Sequence, residues 1–170
     1  MRKLILMRHA KAEAKAPSGD DFDRALTERG RADAVLMGKV LAQAGMTPDL
    51  ALVSAAERTR NTWAGLAESF PNAEARFDRK LYNAASGTIH AVVEAAAEEA
   101  DTILIVGHNP GDPMAMLELI IEAAEPASVM DKARGSFPTA SAVAFEFDAG
   151  LKPRFWNIWY AKDHGGGGGE

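Results

Sequence analysis

Three apolar runs, Leu4-Ile5-Leu6-Met7, Leu50-Ala51-Leu52-Val53 and Ile103-Leu104-Ile105-Val106, each stop abruptly at polar residues. A strand covered on both faces carries a continuous apolar run instead of an alternating one, so these three read as interior strands of a parallel sheet. Helical patterns separate them. Thr27 to Ala44 opens on a threonine cap signal, spaces Ala32, Val35, Leu36, Val40 and Leu41 along one face and stops at Gly45. Glu57 to Phe70, Thr88 to Ala100 and Pro110 to Ala124 read as three further helices, the last opening on proline in the favoured first turn. Ala75 to Tyr82 reads as a short strand and loop. After Pro138, SAVAFEF and RFWNIWY alternate with a period of two, as two final strands joined through Asp148-Ala149-Gly150. The order β-α-β-α-β-α-β-α-β-β predicts a layered α/β fold.

A chain of 170 residues can bury roughly 70% of its unfolded surface, enough for a core without disulfides or a structural metal. No linker or repeat divides it, so one domain is expected over residues 1–162. Residues 163–170, with five consecutive glycines, are expected to form a flexible tail outside the function. The absence of cysteine excludes thiol catalysis, Cys-ligated zinc and iron–sulfur clusters. The apolar stretch before Arg8 is too short for a signal-peptide core or a membrane span, which makes the cytoplasm the expected location and a membrane an unexpected partner. With 19 Lys+Arg against 24 Asp+Glu, and no basic cluster, nucleic acid is not the expected partner. A small, focused anion pocket is compatible with that balance. No glycine-rich loop ends in Lys-Ser/Thr, and Asp20-Asp21-Phe22-Asp23 lacks the spaced ligands and closing glutamate of a calcium loop; it reads as a loop and cap.

The chemistry collects where the apolar runs end. The first runs into Arg8-His9-Ala10-Lys11, the third into Gly107-His108-Asn109-Pro110-Gly111, and the second into Ser54-Ala55-Ala56-Glu57-Arg58-Thr59-Arg60. In open α/β sheets the carboxyl ends of the strands form the ligand crevice, so two histidines and two or more arginines are expected at one edge. Cationic arginines repel a divalent ion, so neither a metal nor another cofactor is expected there. Guanidinium forks and a helix N-terminus suit a phosphoryl group.

With these residues the sequence resembles the histidine phosphatase superfamily, whose signature is Arg-His-Gly at the end of the first strand; here it is Arg8-His9-Ala10. The resemblance continues through Asp23-Arg24-Ala25-Leu26-Thr27-Glu28-Arg29-Gly30, through Ser54 to Thr59 with Arg58 at the family's second-arginine position, and through Gly107-His108-Asn109-Pro110-Gly111. Short length, alanine after the histidine and GHNPG look most like the phosphohistidine phosphatases of the SixA type. The resemblance implies a three-layer α/β/α sandwich with a mostly parallel central sheet, phosphoglycerate mutase-like, without the mutases' large lid. It implies that His9 is the nucleophile and is phosphorylated, that Arg8 and Arg58 hold the phosphoryl, and that His108 donates to its oxygens, with Asn109 and Arg24 also binding substrate. Flanking guanidiniums would keep His9 unprotonated by disfavouring a further positive charge.

Where the mutase branch places a glutamate, Leu81 to Gly87 has no carboxylate. Asp112 is left as a general acid or a helix cap, and Arg24 as a partner of Asp23 or of substrate. A phosphorylated imidazole leaves as a neutral ring once its other nitrogen is protonated, so P–N cleavage leans less on an enzyme acid. The expected substrate is therefore a phosphohistidine-bearing protein, with small phosphate esters, a mutase reaction and a non-catalytic phosphoprotein-binding module as alternatives. A lone histidine is ordinarily structural, and His90 is read as a surface or satisfied histidine and His164 as part of the tail; Trp63, Trp156 and Trp159 are read as packing residues.

Overall fold

The computed structural model describes residues 1–167. The strands are β1 (Lys3–Arg8), β2 (Leu50–Ser54), β3 (Glu74–Asp78), β4 (Thr102–Gly107), β5 (Ala142–Phe147) and β6 (Pro153–Trp159). The α-helices are α1 (Glu28–Gln43), α2 (Glu57–Ala67), α3 (Ser86–Ala96), α4 (Gly111–Glu122) and α5 (Ala127–Ala133). Six strands form one sheet in the order β3-β2-β4-β1-β5-β6. The pairings β1–β4, β2–β4 and β2–β3 are parallel, while β1–β5 and β5–β6 are antiparallel.

The three apolar runs become the three central strands β1, β2 and β4 because their alternate residues feed two separate cores. Ile5, Met7, Ala51, Val53, Leu104 and Val106 pack with Met37, Leu41, Trp63 and Leu66 from α1 and α2. Leu4, Leu6, Leu50, Leu52, Ile103 and Ile105 face Ile89, Val93, Met116, Leu119, Ile120 and Ala133 from α3, α4 and α5. The result is a three-layer α/β/α sandwich with a mostly parallel sheet. Each buried Leu or Ile contributes about 1.5–3 kcal/mol by leaving water, so a polar residue inside any of these runs is strongly disfavoured. α1 and α2 pack closely at Gly65, where a Cβ would lie 2.7 Å from the Ala34 Cβ.

Helix α1 starts as its cap signal requires: the Thr27 hydroxyl accepts from Gly30 N–H at 3.0 Å and donates to the Lys11 carbonyl at 3.2 Å, tying the helix to the loop after β1. Helix α5 is a seven-residue element beyond the predicted series. Trp63 and Trp159 are buried in the core, whereas Trp156 is half exposed beneath the Lys3 ammonium, against the packing role expected of it. The C-terminal segment also departs from the expected loose tail. A 3-10 turn spans Ala161–His164, Gly166 N–H bonds the Ala161 carbonyl at 2.9 Å, and Gly167 N–H donates to Asp33 Oδ1 at 2.9 Å. The nearly fully buried Asp33 carboxylate on α1 needs donors, and this backbone supplies one. The rest of that expected tail, 168–170, lies outside the described residues. Among the described residues no helix is long and apolar enough to cross a membrane.

Candidate active site

Parallel pairing in the register Arg8↔Gly107 carries β1 and β4 to the same edge, so His9 and His108 leave the sheet side by side. Their ring centroids are 5.3 Å apart. β2 ends beside them, placing Ser54 Oγ 2.8 Å from His108 Nε2, and the first turn of α2 brings in the buried Arg58. His9, His108 and Arg58 line a cleft of about 140 Å³ with Arg8, Lys11, Ala12, Arg24, Asn83, Asn109 and Thr139. All six sequence-predicted site residues, Arg8, His9, Arg24, Arg58, His108 and Asn109, thus meet in one place. Arg60 does not join them; its Nε donates to the Ala55 carbonyl at 2.8 Å and its guanidinium covers the Phe77 ring.

His9 is held on three sides. Its N–H donates to the Gly107 carbonyl at 3.1 Å, its carbonyl accepts from Ala140 N–H at 3.1 Å, and its ring Nδ1 lies 2.7 Å from the Ala10 carbonyl. A carbonyl can only accept, so the ring proton sits on Nδ1 and the lone pair is left on Nε2. Burial above all pushes the His9 imidazole down to about 3; the Ala10 carbonyl opposes this, while Arg58, Arg8 and Arg24 push in the same direction. Desolvation is thus the leading cause, ahead of the guanidiniums that the sequence alone suggested. Burial likewise takes His108 to about 3, assisted by His9 and Arg58.

The arginines are braced rather than loose. Arg8 Nη1 donates to the Phe137 carbonyl at 3.0 Å. Arg58 donates from Nη1 to the Asp21 carbonyl at 2.8 Å and from Nη2 to Asp21 Oδ2 at 3.1 Å. Asp21 also accepts from the Tyr82 hydroxyl at 2.7 Å and from Arg24 Nη1 at 2.8 Å. Tyr82 first, then Arg24 and Arg58, hold that carboxyl well below the usual carboxylate range. Asp21 and Tyr82 are site-bracing residues that sequence reasoning missed. Within DDFD, Asp20 does provide the expected cap, its Oδ1 accepting from Phe22 N–H at 2.9 Å, and nothing local distinguishes its neighbour Asp21. Arg24 pairs with Asp21, not with Asp23, which takes the Ser18 hydroxyl at 2.8 Å, and Arg24 lines the cleft as well.

Asp112 does not cap helix α4, and it is not among the residues that line the cleft. Helix α4 is capped by Pro110 without a side-chain hydrogen bond, and both Asp112 oxygens are buried without a partner. Its Oδ2 would lie 2.9 Å from a Cβ at position 107, which explains why glycine precedes His108. Burial raises the Asp112 carboxyl well above its ordinary range, with Arg8 opposing. His90, outside the cleft, bonds Glu118 at 2.8 Å. Among the described residues no group of three or more His, Asp or Glu side chains is arranged to hold a metal ion. What the cleft offers is an unprotonated ring nitrogen beside guanidinium donors, which is chemistry for an electrophilic anion.

Residues 4–101 match the family described as the histidine phosphatase superfamily, branch 1. An uncharacterized protein of Mycobacterium tuberculosis is 35% identical over 135 residues, covering 79% of this chain and 82% of that protein. A crystal structure from Agrobacterium tumefaciens, carrying the provisional name phosphohistidine phosphatase SixA, superposes with a TM-score of 0.82 at 29% identity over 94% of this chain and 97% of that one. The protein histidine phosphatase SixA in complex with tungstate shares the fold, with a TM-score of 0.76 at 20% identity over 95% and 98% of the two chains.

Proposed function

The chain belongs to the histidine phosphatase superfamily and has its phosphoglycerate mutase-like fold; from that premise we propose that it hydrolyses protein phosphohistidine through a phosphoryl intermediate on His9. The observation that carries this reading is the pairing of a buried, unprotonated His9, its Nδ1 tied to the Ala10 carbonyl, with Arg8, Arg24 and Arg58 around one small cleft.

In the first half-reaction the His9 Nε2 lone pair forms a bond to phosphorus as the substrate's P–N bond breaks. The leaving ring keeps the bonding pair and, with its other nitrogen protonated from solvent, departs as neutral imidazole. His9 then carries phosphorus on Nε2 and a proton on Nδ1, and its positive charge is shared with the Ala10 carbonyl. In the second half-reaction a water oxygen bonds to phosphorus, the P–Nε2 pair returns to His9, the water proton passes to solvent and inorganic phosphate leaves. Arg8 and Arg58 offset the charge on the phosphoryl oxygens in both loose transition states.

The substrate assignment follows from what lines the cleft. No carboxylate is among its lining residues, and Asp21 beside Arg58 is held ionised, able to accept a hydrogen bond but not to supply a proton. An alkoxide leaving group needs a proton at the moment it departs, whereas an imidazole already protonated on its far nitrogen does not. The test compares wild type with His9→Ala on a phosphohistidine-bearing protein and on small phosphate esters. Wild type alone is expected to release phosphate, faster from the P–N substrate, and to trap an acid-labile, alkali-stable phosphoryl group. Equal turnover by the two proteins would remove His9 from the mechanism, and preference for esters would reassign the substrate.

A further inference from the structure

Ser54 is fully buried at the end of β2. Among the described residues its Oγ has two side-chain hydrogen-bond contacts: it accepts from Ala56 N–H at 3.4 Å, and it lies 2.8 Å from His108 Nε2. A serine hydroxyl holds one proton. If Nε2 carried the His108 proton, that N–H would donate to Ser54 Oγ, and the hydroxyl hydrogen would be left in a dry pocket with no acceptor. That arrangement would also leave the Nδ1 lone pair unmet, whereas the opposite one leaves a single group unmet: Ala56 N–H donates to Oγ, Oγ–H donates to an unprotonated Nε2, and the unpaired proton lies on Nδ1.

His108 is a neutral ring, buried against His9 and near Arg58 and Arg8, so it has a single proton to place. With Nε2 accepting, that proton is on Nδ1. His108 Nδ1 is a buried atom without a hydrogen-bond partner, on a ring that lines the cleft. An N–H left without an acceptor inside a protein costs free energy, and the acceptor it lacks is what an incoming phosphoryl oxygen provides.

We propose that Ser54 is a positioning residue that fixes the proton of His108 on Nδ1, and thereby makes that nitrogen the donor to the phosphoryl group in the cleft. The inference rests on the phosphoryl-transfer reading for its consequence, though not for its geometry. His9 reaches the same tautomer by a different device, a backbone carbonyl at Nδ1. The two histidines therefore take opposite roles: His9 presents a lone pair at Nε2, and His108 presents a proton at Nδ1.

The test labels the histidines with nitrogen-15 and reads the His108 tautomer by NMR in the full chain near neutral pH, before and after addition of tungstate as a phosphoryl stand-in. The expected result is a proton on Nδ1 in the free protein and a shift of that N–H when tungstate binds. In Ser54→Ala the tautomers are expected to mix, and kcat to fall about tenfold with KM little changed; Ser54→Thr, which keeps the hydroxyl, is expected to restore both. A proton found on Nε2 in wild type, an Nδ1–H signal indifferent to bound tungstate, or an unchanged tautomer in Ser54→Ala would each overturn the proposal. The wild-type spectrum decides even if the variant does not fold. A correct tautomer in a protein that releases no phosphate would instead refute the proposed function and leave the placement of the proton standing.

Discussion

Replacing Asp112 by asparagine turns the buried carboxyl into a measurable quantity. Asp112 is fully buried and neither oxygen has a hydrogen-bond partner. Burial raises its carboxyl well above the ordinary value of 3.8, so the folded protein keeps a proton that the unfolded chain releases. A carboxyl raised in this way contributes stability that is present below the unfolded value and is lost as pH rises toward the folded one. For as long as the native proton is kept, each pH unit costs about 1.4 kcal/mol. Asparagine has nearly the same shape and no proton to lose. Urea unfolding of wild type and Asp112→Asn at pH 5, 6 and 7 is therefore expected to show a stability gap that moves in favour of the variant as pH rises, by up to about 1.4 kcal/mol per pH unit. The amide's own unpartnered N–H groups add an offset that does not vary with pH, so the slope is diagnostic and the absolute difference is not. The histidines titrate in both proteins and cancel. A gap constant with pH would mean that Asp112 is ionised in the native state, with Arg8 stabilising its charge, and would refute the reasoning.

The two depressed histidines act in the opposite sense: their stability is fully present above the unfolded value of 6.5 and is lost as pH falls toward about 3. Substituting His9→Gln is expected to remove about 2 kcal/mol of the loss between pH 7 and pH 5, and an unaltered urea slope would reject a neutral buried ring. Asp21→Asn removes the carboxylate charge that braces Arg58, Arg24 and Tyr82. It is expected to lower kcat/KM about tenfold, with partial recovery in Asp21→Glu; undiminished kcat/KM would show that the brace does not position the arginines. Phosphate release is expected to be unchanged after dialysis against a chelator, and a loss restored by added metal would oppose the nucleophilic mechanism.

The apolar runs announced β1, β2 and β4 because a strand buried on both faces has no polar positions to blur the pattern, and the Thr27 signal placed the start of α1. β3 was harder to bound, since it lies at the sheet edge with exposed Glu74, Arg76 and Phe77. The chemistry of the cleft was readable because Arg8-His9, Arg58 and Gly107-His108 sit directly at strand or helix ends, where topology fixes their convergence. Asp21 and Tyr82 were not, because 61 residues separate them and only the folded sheet brings them to the 2.7 Å hydrogen bond that braces Arg58. Tail composition misled for a similar reason. Glycines 166 and 167 promise little order by themselves, yet Gly167 meets the buried Asp33, a contact invisible to composition.

Burial, and not the arginines, is the leading reason that His9 is unprotonated, and this reverses the part that the sequence alone suggested for the cations. A ring desolvated by the sheet edge keeps its lone pair even without them, so neutralising one guanidinium should leave His9 below the ordinary histidine range. The same desolvation makes a lone imidazolium costly. Once phosphorus is bonded to Nε2, however, the ring's new positive charge lies against the negative phosphoryl oxygens, and those oxygens lie against Arg8 and Arg58. The intermediate is tolerable only as that alternating set of charges. In the proposed cycle the guanidiniums are therefore needed after attack more than before it, and they hold the phosphoryl where water can reach it, until release of phosphate returns a neutral ring to a dry site.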